Sequence, residues 1–66
     1  MSGNVILNNE DNMEIVKAIL NKHNCDYESW YNGNDYGICF SNEDGIPEEL
    51  TKELNPFIKE ITIEED

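Results

Sequence analysis

Residues 26–41 read DYESWYNGNDYGICFS, and this stretch decides the fold because two alternating runs flank a single turn. The four residues NGND at 32–35 are typical of a two-residue hairpin turn, centred either on Asn32-Gly33 or on Gly33-Asn34. Apolar and polar residues alternate in the runs 26–32 and 36–41, as they do in half-buried strands. The sequence therefore predicts a β-hairpin near the middle of the chain.

Both turn registers give the hairpin the same two faces, because successive side chains of a strand point to opposite sides. One face is aromatic, and the other carries Trp30 beside Gly37 or Asp35. Cys25 and Cys39 fall on opposite faces, so we expect two reduced thiols. The aromatic face comprises Tyr27, Ser29, Tyr31, Tyr36, Ile38 and Phe40, and the other comprises Glu28, Trp30, Asn32, Asp35, Gly37, Cys39 and Ser41.

The segment before the hairpin predicts one strand and one helix. Val5-Ile6-Leu7 is a short apolar run, as expected of a buried strand. Residues 11–24 follow a helical period, and residues 9–11 supply capping oxygens and negative charge at the start. The apolar positions Met13, Ile15, Val16, Ile19 and Leu20 fill one continuous arc of this helix.

The segment after the hairpin predicts a loop at 42–45, a second helix and a last strand. Pro47 suits the first turn of a helix, and Pro56 ends it. The strand 57–64 is expected to place Lys59 among its inward residues, at the edge of the sheet. Its inward residues would include Phe57, Ile61 and Ile63, and its outward residues Ile58, Glu60, Thr62 and Glu64.

The order strand, helix, strand, strand, helix, strand predicts an α+β fold, the β-α-β-β-α-β ferredoxin-like sandwich. Its four-stranded antiparallel sheet would carry both helices on one face and leave the other face open to water. Residues 1–66 would form a single acidic domain, because 66 residues are few for one hydrophobic core. A less regular α+β sheet with a shortened second helix is the alternative.

The charge of the chain restricts the classes of partner. Fifteen Asp and Glu oppose four Lys, with no Arg, and the net charge is −11. Solubility needs a net charge of only about 2 to 8 in a small domain, so the excess suggests a role in binding. Direct contact with nucleic acid or a membrane surface is not expected of so acidic a chain. No apolar run exceeds three residues and no secretory signal is present, which predicts a cytoplasmic protein.

Few residues suggest catalysis or metal binding. His23 could act as a base beside Cys25, but a helix-end histidine is the favoured interpretation, because nucleophilic catalysis also needs a third, orienting group. His23, Cys25 and Cys39 lack the fourth ligand of a structural zinc site. The acidic loops do not follow the ligand spacing of an EF-hand. We therefore predict no enzyme activity, no cofactor and no metal.

The layout of the acids is the most informative feature. No basic residue lies between Lys22 and Lys52, and Glu65 and Asp66 extend the acidic end of the last strand. Alternate residues of a strand stand about 6 to 7 Å apart, on the order of the separation of phosphates along a nucleic-acid strand. Trp30 could anchor a partner, or it could only cover Gly37 or pack under the chain terminus. The predicted partner-binding residues are Glu28, Trp30, Asp35, Glu43, Asp44, Glu48, Glu49, Glu60 and Glu64.

In size, charge, lack of arginine and Asn/Ile/Lys/Glu-rich composition, the chain resembles small acidic proteins with which bacteriophages of Gram-positive hosts inhibit DNA-binding proteins. Such DNA mimics block the nucleoid-associated protein HU, uracil-DNA glycosylase, restriction enzymes or CRISPR nucleases. The resemblance implies a stoichiometric inhibitor in the host cytoplasm, bound in the DNA-binding cleft of a basic host protein.

Two alternatives remain open. The chain could be an adaptor or antitoxin-like module that binds a non-DNA-binding protein through the aromatic hairpin and Trp30. The second strand is expected at an edge of the sheet, where unpaired backbone groups allow two copies to pair, so a homodimer is also open.

Overall fold

The computed structural model describes residues 1–64 and contains four strands and two helices in the predicted order. Short 3₁₀ turns, Glu10–Asn12 and Asn55–Phe57, precede α1 and β4. The elements are β1 (Ser2–Leu7), α1 (Met13–Lys22), β2 (Asp26–Tyr31), β3 (Tyr36–Ser41), α2 (Glu48–Leu54) and β4 (Ile58–Glu64).

The strands form one antiparallel sheet in the order β2-β3-β1-β4. This arrangement confirms the predicted ferredoxin-like fold. In the hairpin, Tyr31 pairs with Tyr36 and the backbone N–H of Asn32 donates to the carbonyl of Asp35. The turn is therefore centred on Gly33-Asn34, and Gly33 has the positive φ of 99° that this turn requires.

Both helices pack on the same face of the sheet, as predicted. Val16 and Leu20 of α1 and Leu50 and Leu54 of α2 are fully buried. They complete a single core because the inward residues of the central strands β1 and β3 lie beneath them. The buried sheet residues of this core are Val5, Leu7, Ile38, Phe40 and Ile58, and Cys25 joins them from the chain before β2.

The helices are shorter than their sequence patterns suggest. The Asn9 side chain accepts a hydrogen bond from the Asp11 N–H at 2.9 Å, and the 3₁₀ turn that follows delays the start of α1 to Met13. Pro47 has extended backbone angles, and Pro56 lies in the second 3₁₀ turn, so α2 has seven residues. Two prolines therefore fix the length of the second helix.

The predicted outward position of Ile58 is wrong. The register between β1 and β4 shifts at Ile6/Leu7, so that Ile58 pairs with Leu7 and is only 7% exposed. This bulge also displaces Lys59, which is exposed and forms an ion pair with Asp35 at 2.6 Å. After the bulge, the rest of β4 follows the predicted alternation, with Ile61 opposite Val5.

Both cysteines are free thiols: Cys25 is buried, whereas Cys39 is exposed on β3. Within residues 1–64, no helix has the length and apolar character needed to cross a membrane.

Candidate binding surface

The face of the sheet opposite the helices is the main candidate surface, and we call it the open face. The strand register arranges its side chains in three rows across β2, β3, β1 and β4. The rows are Asp26, Ser41, Ser2 and Glu64; then Glu28, Cys39, Asn4 and Thr62; then Trp30, Gly37, Ile6 and Glu60.

The open face carries its acids along its two edges. Asp26 and Glu28 belong to the edge strand β2, and Glu60 and Glu64 to the edge strand β4. Three strand spacings of about 4.8 Å place these edges about 14 Å apart. The strip between them is neutral, since β1 and β3 contribute hydroxyl, amide, thiol and apolar groups.

The lysines lie elsewhere on the molecule. Lys17 and Lys22 lie on α1, Lys52 lies on α2, and Lys59 lies in the bulge where it pairs with Asp35. None of the three open-face rows contains a basic residue. The negative charge of this face is therefore not compensated by any side chain within it.

Trp30 is fixed across the open face by two contacts. Its indole N–H donates to the Asn4 Oδ1 at 2.8 Å, and its ring occupies the space above Gly37, where a Cβ would overlap it. The Cys39 thiol lies 3.2 Å from the same Asn4 oxygen. The predicted outer-face position of Trp30 is confirmed, and its ring covers Gly37, which was one of the interpretations left open for this residue. The half-buried indole still presents part of its surface to solvent.

Glu43 and Asp44 extend the acidic surface at one end of the sheet. They are exposed in the loop that follows Ser41, the β3 residue in the row of Asp26 and Glu64. The Asn42 side chain accepts from the Asp44 N–H at 2.9 Å, and the Asn42 N–H donates to the Met1 carbonyl at 3.1 Å. The loop is thereby tied to the start of β1.

The other three predicted acids lie outside the open face. Glu48 and Glu49 are exposed in the first turn of α2, where the Glu48 carboxylate is 3.7 Å from the Lys52 ammonium. Asp35 lies at the turn end of the sheet in its pair with Lys59. The nine predicted residues thus do not share one surface, although Glu28, Trp30, Glu60 and Glu64 do.

Sequence reasoning omitted Asp26 from the predicted site, although this residue alternates with Glu28 and so faces the same side. Glu65 and Asp66, which were expected to extend the acidic run, lie outside the described residues.

His23 belongs to a contact between the helices. As the C-cap of α1, it places its Nε2 2.5 Å from the Glu53 carboxylate of α2, whose other oxygen binds the Lys22 ammonium. The Lys22 hydrogen bond, and then that of His23, lower the pKa of Glu53 below its ordinary value. The Cys25 thiol lies 3.9 Å from the backbone carbonyl of His23, and the Asn42 side-chain amide donates to the thiol sulfur at 3.7 Å. This geometry supports the helix-end interpretation.

Among the described residues, no three His, Cys, Asp or Glu side chains are grouped as a metal site requires. Comparison with protein families, curated proteins and solved structures finds no match to this chain.

Proposed function

We propose that this protein is a stoichiometric inhibitor that blocks a DNA-binding host protein by presenting its acidic open face in place of DNA. The observation that carries the proposal is the segregation of charge, with acids on both edges of the open face and no lysine in its rows. A basic cleft could pair with these carboxylates directly, because no lysine side chain lies in the three rows of the open face.

The spacing of the acids supports DNA as the object of mimicry. The two acidic edges, about 14 Å apart, compare with the walls of the B-DNA major groove, which is about 12 Å wide. The strip between them carries hydrogen-bonding groups on Ser2, Asn4 and Ser41, much as base edges line a groove floor. Along one edge, Asp26 and Glu28 are separated by about 6 to 7 Å.

Glu43 and Asp44 would extend the DNA-like acidic surface beyond the end of the sheet. The proposal rests on these two residues and on Asp26, Glu28, Glu60 and Glu64, whereas Asp35 and Glu48 each have a lysine partner. The net charge of −11 would steer the inhibitor to a basic target, so association should be fast and should weaken with salt. The site of action would be the cytoplasm of the host cell.

The adaptor alternative depends on Trp30 as the main anchor. In the structure the indole already hydrogen-bonds Asn4 and packs over Gly37, which gives the residue a structural role. We therefore assign the binding to the carboxylates and treat the exposed part of the indole as a secondary contact.

Competition with DNA tests the proposal. The immobilised protein is mixed with bacterial lysate, and the bound proteins are challenged with duplex DNA or with about 1 M salt, where the Debye length is about 3 Å. We expect to retain a DNA-binding protein that both treatments release. Retention of a partner that neither DNA nor salt displaces would contradict the proposal and favour the adaptor.

A further inference from the structure

An exposed aromatic pair lies at the turn end of the hairpin, away from the open-face rows. Tyr31 ends the edge strand β2 and stacks on Tyr36, with ring centroids 4.5 Å apart and planes inclined by 29°. Tyr36 packs against the hydrophobic core, but Tyr31 is 58% exposed. The Tyr31 hydroxyl donates to the Gly33 carbonyl at 3.0 Å. The ring of Tyr31 is thus held in place while much of its surface stays uncovered.

A carboxylate adjoins this pair. The Glu10 carboxylate lies on the same side of the molecule as the Tyr36 side chain. Both residues line a cleft of about 280 Å³, together with asparagines 8, 9 and 34. Asp35 also lines the cleft, but Lys59 pairs with it. Within residues 1–64, no lysine forms an ion pair with Glu10.

We propose that the Tyr31–Tyr36 stack and Glu10 form a receptor for one arginine side chain of a partner protein. A guanidinium is flat and can stack on a tyrosine ring while its N–H groups donate to a carboxylate. A lysine ammonium is a strongly hydrated point charge and does not combine these two contacts as well. The chain contains no arginine, so a second copy of it cannot fill the receptor.

This receptor is separate from the acidic sheet face, and it does not depend on the function proposed above. The aromatic part of the receptor is already positioned before binding, because the core holds Tyr36 and the Tyr36 ring stacks on Tyr31. Little ordering is then needed when the guanidinium arrives.

An NMR titration with two capped glycine-rich peptides, one containing a single Arg and the other a single Lys, tests the receptor. We expect the Arg peptide to shift the amide signals of residues 8–10 and 31–36 saturably. It should bind about threefold or more tightly than the Lys peptide, as exposed cation–π contacts allow. Equal binding of the two peptides, or shifts spread over the open face, would overturn the proposal.

Matched variants identify the residues that cause the preference for the Arg peptide. Tyr31→Phe keeps the ring and should keep the preference for Arg, whereas Tyr31→Leu should abolish it. Glu10→Gln should weaken binding of the Arg peptide, while Glu14→Gln, the same change of charge on exposed α1, should not. Circular dichroism verifies the fold of each variant. If Tyr31→Leu unfolds, the comparison of Glu10→Gln with Glu14→Gln decides the outcome. If the preference for the Arg peptide persists in both Tyr31→Leu and Glu10→Gln, the receptor proposal is wrong. The open-face proposal would not be affected.

Discussion

Trp30 reaches across two strands: its ring lies over Gly37 of β3, and its indole N–H binds Asn4 of β1. The absence of a side chain at Gly37 is what allows the ring to approach the sheet so closely. The sequence places Trp30 and Gly37 on one face by alternation, but it does not reveal Asn4 as a partner. That contact depends on the order of the strands, which brings β1 next to β3.

Gly37→Ala should therefore destabilise the protein. The added Cβ would overlap the Trp30 ring and approach the Val5 carbonyl to 2.7 Å, and a backbone oxygen cannot move away cheaply. We expect a loss of about 1–3 kcal/mol in the free energy of unfolding, as for other overpacked sites. Urea denaturation followed by Trp30 fluorescence measures it.

Ser41→Ala is the control, because Ser41 is exposed on the same strand and its loss should change stability by no more than about 0.5 kcal/mol. If Gly37→Ala were as stable as Ser41→Ala, the ring of Trp30 would not lie where the structure puts it.

At the scale of elements, patterns among neighbouring residues in the sequence predicted more of the structure than did features that depend on the pairing of distant strands. The hairpin and α1 could be predicted because turn chemistry and helical spacing are local properties. The bulge between β1 and β4 could not be predicted, because it arises from the pairing of strands that are far apart in sequence. Ile58 and Lys59 were misplaced for that reason, and the pair of Lys59 with Asp35 went unforeseen.

The contact of Glu53 with Lys22 and His23 joins α2 to the end of α1 and should make stability depend on pH. Folding lowers the pKa of Glu53, chiefly through Lys22, so the ionised carboxylate stabilises the folded state above its ordinary pKa of 4.5. That stabilisation is lost as the pH falls through the lower pKa of the folded state. Glu53→Gln should therefore be less stable than the wild type near neutral pH, and the difference should shrink below pH 4.5.

Thermal melts of both proteins across this pH range measure the effect. Glu48→Gln serves as the control, since its pair with Lys52 is highly exposed and such pairs contribute about 0.2–1 kcal/mol or less. A difference between Glu53→Gln and wild type that stays constant down to strong acid would contradict the assignment of this contact to the ionised carboxylate.

At the scale of the whole molecule, the fold keeps the lysines off the open face. The helix layer carries Lys17, Lys22 and Lys52, whereas the open face has carboxylates along both edges. Alternation along the strands predicted which acids point outward, and it placed Glu28, Glu60 and Glu64 correctly. It did not predict that the sheet order puts them on opposite edges, or that α2 turns Glu48 and Glu49 away from them.

Binding of a captured DNA-binding protein to two variants of equal net charge tests the central claim most directly. Glu28→Gln/Glu60→Gln removes one carboxylate from each edge of the open face, and Asp11→Asn/Glu14→Gln removes two from the helix side. The first should weaken binding by about tenfold and flatten its salt dependence, since each exposed ion pair contributes up to about 1 kcal/mol. The second should bind nearly as the wild type does. Equal losses in the two variants would show that net charge, not the open face, governs the interaction.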